Sequence, residues 1–141
     1  MSPAASSTAA LQKGLPANID AERFILGSIL LDDSRFIDTA GVLSNDDFAL
    51  EKHRRIFVRM SEIHERNEKI DRVTVANELL RYNELESVDG LSYLVSLDDG
   101  LPQISNLDSY IKIVKDKAML RRNSVSASPS LPSSMRIVPR K

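Results

Sequence analysis

Residues 24–31 read FILGSILL, eight positions without a charge and apolar but for one glycine and one serine. No other stretch limits the fold of this chain so strongly. A membrane-spanning helix needs about 20 apolar residues, and here Arg23 and Asp32 close the run on either side. A surface helix shows a polar face, and this run has none. The segment therefore belongs inside a protein body, contacted on nearly every side. Gly27 and Ser28 are small enough to let another helix approach where a larger side chain would hold it off. Glycine costs about 1 kcal/mol in helix propensity against alanine, which close packing has to offset.

The flanking sequence supplies the elements to surround it. Pro16 stops anything upstream, Asn18 is placed to cap, and Asp20 and Glu22 put negative charge at the positive end of the helix dipole. A first helix is expected to run to about Leu31. DDSRFIDTAG predicts a short second helix, with Asp33 or Ser34 as cap and Gly41 as stop. A third covers about Glu51 to Glu65, with His53, Ile56, Phe57, Met60, Ile63 and His64 on one stripe at steps of three and four. A fourth follows the candidate cap Asp71, its buried side formed by Val73, Ala76, Leu79 and Leu80. DGLSYLVSLDDGLP predicts a fifth, ended by Gly100 and Pro102. The sixth opens on Ser105 and Asp108, an [ST]-x-x-[DE] capping signature, and buries Leu107, Ile111, Val114 and Ala118. Lys117, Arg121 and Arg122 suit its C-terminal end. No run sustains strand alternation, so the expected class is all-α, a compact bundle of about six helices over residues 16–122. The leader, 1–15, and the Ser/Pro-rich tail, 123–141, are expected to be disordered.

With 141 residues the chain suits one domain, and its net charge of −1 draws it toward no nucleic acid. The charge is uneven: Glu78 to Asp108 is mostly acidic and Lys112 to Arg122 basic, the pattern of solvated helix faces or of surfaces that guide assembly. There is no cysteine, so neither a disulfide framework nor a thiolate zinc site is possible and an intracellular setting is the default. The leader lacks a signal-peptide pattern.

Chemistry finds little to stand on. The glycines, Gly14, Gly27, Gly41, Gly90 and Gly100, are never spaced for a phosphate-cradling P-loop. His53 and His64 lie eleven residues apart on one helix, roughly 16 Å, too far to share a metal. A core histidine bonded to a backbone carbonyl accounts for His53 more simply than a ligand or proton-transfer role. No serine stands in a G-x-S-x-G setting. The pairs Asp32–Asp33, Asp46–Asp47 and Asp98–Asp99 fall at helix boundaries, where capping explains them. A helix-turn-helix over Ile63 to Asn83 would have only Asn77 and Arg81 as base readers, with Glu78 repelling phosphate. No residue is assigned as catalytic, cofactor-binding or metal-binding.

Five segments, LPANIDAERFILGSILL, DDFALEKHRRIFVRMSEI, KIDRVTVANEL, DGLSYLVSL and SNLDSYIKIVKDKAMLRR, in that order and spacing, closely resemble the N-terminal domain of the DnaB family of bacterial replicative DNA helicases. The resemblance covers about Leu15 to Arg122. The matching positions are Asn18, Ala21, Glu22, Leu26, Gly27 and Leu30, then Phe48, His53, Ile56 and Phe57. They continue with Asp71, Thr74, Val75 and Leu79, then Gly90, Tyr93 and Leu94, and finally Asn106, Tyr110, Val114, Lys117 and Arg121. Nearly all read physically as core or caps. The resemblance implies a cytoplasmic all-α domain that pairs through helical hairpins into the collar of a hexameric ring and receives the helicase-binding domain of primase. DNA contact and ATP hydrolysis belong to the rest of that ring, and no membrane is involved.

Asp89 stands where the family usually has a glycine before Gly90, and Ala49 where an aromatic commonly follows Phe48. After Arg122 the family continues into further helix, a linker and the ATPase domain. NSVSASPSLPSSMRIVPRK instead breaks the composition, as a truncated, frame-shifted or fragmentary gene would. The expectation is a collar module severed from its motor, monomeric or weakly dimeric, with other helicase subunits and primase as partners. A primase-type helicase-binding domain is the runner-up, disfavoured by the leader at Met1. A free-standing helical adaptor or inhibitor of the replisome is the third reading.

Overall fold

In a computed structural model, residues 18–97, 99 and 106–126 are described. The expected disorder of the leader and of most of the tail, the stops at Gly100 and Pro102 and the Ser105 cap lie outside the described residues. Six α-helices occur among them, with no strand: α1 Ile19–Leu31, α2 Arg35–Ala40, α3 Glu51–Glu65, α4 Arg72–Arg81, α5 Gly90–Ser96 and α6 Leu107–Ser126. Two 3₁₀ turns, Asn45–Asp47 and Glu86–Val88, precede α3 and α5.

Helix α1 begins as its residues dictate. The Asn18 side chain accepts the Ala21 N–H at 3.0 Å, and the helix is enclosed from Ile25 through Leu30, Gly27 and Ser28 included. Its longest partner is α6, whose stripe Leu107, Ile111, Val114 and Ala118 is buried as the spacing predicts; α3 packs on another side. Ile25, Leu26 and Ile29 thereby share one core with Ile56, Met60 and Ile63, and Phe48 and Phe57 meet within it at a tilt with centroids 5.1 Å apart. Burying this set is the dominant favourable contribution to the fold.

Helix α4 carries a reciprocal cap: Asp71 accepts the Thr74 N–H and Thr74 Oγ1 accepts the Asp71 N–H, each at 2.9 Å. Its orientation differs from expectation. Val75, Glu78 and Leu79 face the core, while Val73 and Leu80 stand 68% and 57% exposed. A charge-blind apolar count turned the helix too far, because Glu78 is carried inward by a partner arginine described below.

Four further details differ from expectation. His64 is exposed, although its ring meets Phe36 at 4.9 Å. In α2 neither Asp33 nor Ser34 caps with its side chain; Asp32 accepts from the Ser34 N–H at 3.1 Å, and Gly41 closes the helix with an ordinary right-handed backbone. Helix α5 ends at Ser96, before Gly100. Helix α6 continues to Ser126, beyond the Arg122 limit set by the composition break. Helices α3 and α4 both stop on asparagines in left-handed backbone, Asn67 (φ 61°) and Asn83 (φ 58°). The Glu68 and Glu84 N–H groups then reach back to the Ile63 and Leu79 carbonyls, completing Schellman closures.

Candidate functional site

Glu22 lies in the first turn of α1, where its charge suits the helix dipole. The inward face of that turn takes it to a place with no solvent. There Glu22 Oε2 accepts the Ala49 N–H at 2.6 Å and Oε1 meets His53 Nδ1 at 2.7 Å. His53, buried at the start of α3, has Nε2 2.6 Å from the Tyr93 hydroxyl on α5. A carboxylate only accepts, so the partners place the ring hydrogen on Nδ1, and Nε2 takes the Tyr93 O–H. Burial pushes the His53 imidazole below its usual value, and Glu22 offsets this only in part. His53 is thus a core histidine, but side chains hold it and no backbone carbonyl does.

A Glu–His–Tyr row has the outward form of a device that activates a hydroxyl. Here the hydroxyl donates into the ring, and burial pushes the Tyr93 phenol up to about 12. Both features oppose a nucleophilic role. The row instead ties α1, α3 and α5 together, helped by Lys52, whose ammonium lies 3.9 Å from the Tyr93 ring centroid and 2.8 Å from Asp89. Arg23 adds a bond to the Ser96 carbonyl at 3.4 Å.

A second enclosed acid has cationic partners. Asp47 ends the first 3₁₀ turn and caps it, accepting the Ser44 N–H at 2.9 Å. Lys115 reaches the carboxylate at 3.2 Å and Arg122 bonds its other oxygen, while Arg121 donates to the Asp47 carbonyl at 2.6 Å. Burial opposes the Asp47 charge, but the Ser44 N–H, Arg122 and Lys115 outweigh it and hold the carboxyl below its ordinary range. Asp46–Asp47 is therefore a capping site, as the boundary position implies, and also the anchor of α6. Arg121 and Arg122 serve that anchor, with the helix continuing past them.

Two other charged features are satisfied internally. Arg66 holds Glu78 through two bonds of 3.0 and 2.9 Å, which keep the Glu78 carboxyl low and explain its inward position. The segment proposed for base reading thus spends its acid on α3, and Asn77 and Arg81 remain on the surface. A cleft of about 270 Å³ lies beside α3, with Arg54, Arg55 and Arg59 matched by Asp46, Glu51 and Glu84. Arg55 binds Glu51 and Glu84 at 2.7 and 3.1 Å, so the cleft carries no surplus positive charge to hold an anion.

Among its exposed residues the domain also presents large apolar side chains. Val73 and Leu80 project from α4, Leu91 and Val95 from α5, and Met119 and Leu120 from α6. Spacings of seven and of four place each of the first two pairs on one helical face. None was singled out as a surface residue in the sequence, since Val73 and Leu80 had been counted as core.

Of the positions matching the helicase family, Glu22, His53 and Tyr93 converge, although 71 residues separate the first from the last. Nothing in their spacing announces the row; a glutamate on an otherwise apolar helix face was the available signal. Asn18, Asp71 and Thr74 are caps, and Leu26, Phe48, Ile56, Phe57, Val75, Leu79, Leu94 and Val114 are core.

Comparison with known proteins follows this geometry. A family model described as the DnaB-like helicase N terminal domain matches residues 14–116. The chain is 37% identical over 107 residues to the replicative DNA helicase DnaB of Geobacillus stearothermophilus and 40% identical over 107 residues to the replicative DNA helicase DnaC of Bacillus subtilis (strain 168). Each alignment covers 76% of this chain and 24% of the relative, so the chain spans about a quarter of the length of these proteins. The crystal structure of the N-terminal domain of DnaB helicase from Mycobacterium tuberculosis superposes with a TM-score of 0.77 at 32% identity, covering 81% of this chain and 83% of that one.

Proposed function

This chain belongs to the DnaB-like helicase N-terminal domain family, and on that premise we propose that it is an assembly and docking module of bacterial DNA replication. It pairs with other helicase subunits and receives the helicase-binding domain of a primase, in the cytoplasm, and meets DNA only through the ring that such subunits build. The observation that supports this reading is the outward apolar set on α4, α5 and α6, carried by a body whose own core is already complete. Single exposed apolar residues are ordinary on soluble proteins, but pairs repeated on helical faces suit the centre of a protein interface. Glu22, Asp47 and Glu78 and the row through His53 find their partners within the domain, and binding is the work left to the surface.

Calorimetric titration with a primase helicase-binding domain tests docking, beside sedimentation of the chain at micromolar concentration. Saturable binding is expected, weakened at least tenfold by Leu80→Glu or Leu91→Glu, with monomer and dimer in exchange because a stable interface needs about 1,000 Å². Failure of the unsubstituted chain to bind primase removes the docking role. A stable hexamer would overturn the weak-association reading.

A further inference from the structure

The Glu22–His53–Tyr93 row is an enclosed titratable group of side chains that assembly and docking leave unused. We propose that it is a proton-operated latch on α5: closed while His53 is neutral, and opened when the imidazole takes a second proton, freeing α5 and its Asp89–Gly90 turn from α1 and α3.

In the closed row every hydrogen has one acceptor: Nδ1–H points to Glu22 Oε1 at 2.7 Å, and the Tyr93 O–H points to Nε2 at 2.6 Å. A proton added at Nε2 makes both ring nitrogens donors, so the Tyr93 hydrogen must turn away and the bond must reverse. Both bonds are short, and the two rings lie nearly parallel with centroids 5.9 Å apart. Charge adds to direction. Arg23 on α1 and Lys52 on α3 both oppose a cation on His53, and Lys52 already sits against the Tyr93 ring. Glu22 favours that cation, while Arg121 from α6 also interacts with Glu22. Asp89, before α5, pairs with Lys52 at 2.8 Å.

Burial leads these effects and places the closed-state imidazole below its ordinary value of 6.5. The closed latch thus binds protons less well than the open one. Its stability is complete above 6.5 and lost as pH falls from there toward the closed-state value. Within that window the opening constant rises by up to about tenfold per pH unit. Leu91 and Val95 ride on α5, so opening would alter part of the docking surface; that link rests on the docking reading, whereas the latch stands without it.

Amide hydrogen exchange at pH 7.5 and 5.5, corrected for intrinsic chemical exchange, tests the latch on the unsubstituted chain, His53→Gln and His64→Gln. Protection over residues 90–97 should fall about tenfold in the unsubstituted chain and in His64→Gln, and by less over α6. It should stay level in His53→Gln, where glutamine keeps a donor and an acceptor without titrating. Nitrogen-15 shifts of the His53 ring should report Nδ1–H with bare Nε2 at pH 7.5. Equal losses in all three proteins, no loss in the unsubstituted chain, or a hydrogen on Nε2 at pH 7.5 would overturn the proposal. If His53→Gln does not fold, the ring titration decides: His53 protonating without a matching loss of protection in α5 is fatal. None of these readouts uses primase, so failure of docking and failure of the latch are separable.

Discussion

Glu22 and Asp47 are both fully enclosed carboxylates, yet they lie in regions of opposite character. Glu22 belongs to the interior around α1, where its partners are the part-buried Ala49 N–H and the fully buried His53 imidazole. Asp47 belongs to the rim at the far end of α6, where Lys115 and Arg122 keep 35% and 49% of their side-chain surface exposed. Loss of the acid strands partners in the first region and merely releases them in the second. An enclosed charge is thus as costly to remove as its partners are confined.

The largest test of this contrast is Glu22→Ala. It leaves the Ala49 N–H and one His53 N–H without their acceptor, and at about 1–3 kcal/mol for each the loss should total about 2–6 kcal/mol in urea denaturation. A loss below 1 kcal/mol would show that water reaches the interior and would break the contrast. Gly27→Leu probes the same region by volume: overpacking against the neighbours of α1 should cost about 1–3 kcal/mol, and a neutral result would contradict the enclosure of Gly27.

At the rim, Asp47→Asn should cost less, about 1 kcal/mol, since amide and cations can still meet through partly exposed atoms. The stability difference from the unsubstituted chain should shrink between 0.05 and 0.5 M salt (roughly threefold in Debye length), and exchange should quicken over the last turns of α6. A salt-independent loss as large as that of Glu22→Ala would erase the distinction between the regions. The smallest effect belongs to Asp89→Gly. Asp89 holds a left-handed backbone (φ 69°), which glycine adopts without strain, but its carboxylate also binds Lys52 at 2.8 Å. Strain relief and the lost exposed pair should nearly cancel, within about 1 kcal/mol, with thermal melting as the check.

Legibility followed the same division. The Asn18 and Asp71 caps, the span of α1 and the stripes of α3 and α6 could be read because they depend on residues within a turn or two of each other. Helix α4 was turned wrongly because Val73 and Leu80 are as apolar as Val75 and Leu79. The tie that selects the true face runs from Glu78 to Arg66, on the element before. The end of α6 was set too early, since Arg121 and Arg122 read as a C-terminal charge pair while their partner, Asp47, lies more than seventy residues back. His53 and Glu22 were each assigned an ordinary local role, and only their meeting gave them another.

The sequence by itself determined an all-α chain with a first helix buried through its middle, together with the family it belongs to, because helical period and capping act over neighbouring residues and survive as pattern. The tertiary structure alone decided which apolar residues remain outside, where the two enclosed acids find their partners, and that Glu22, His53 and Tyr93 form one row. Those outcomes depend on through-space distances of about 3 Å between residues remote in the chain, and hydrogen bonds and ion pairs of that reach leave no period in the sequence to read.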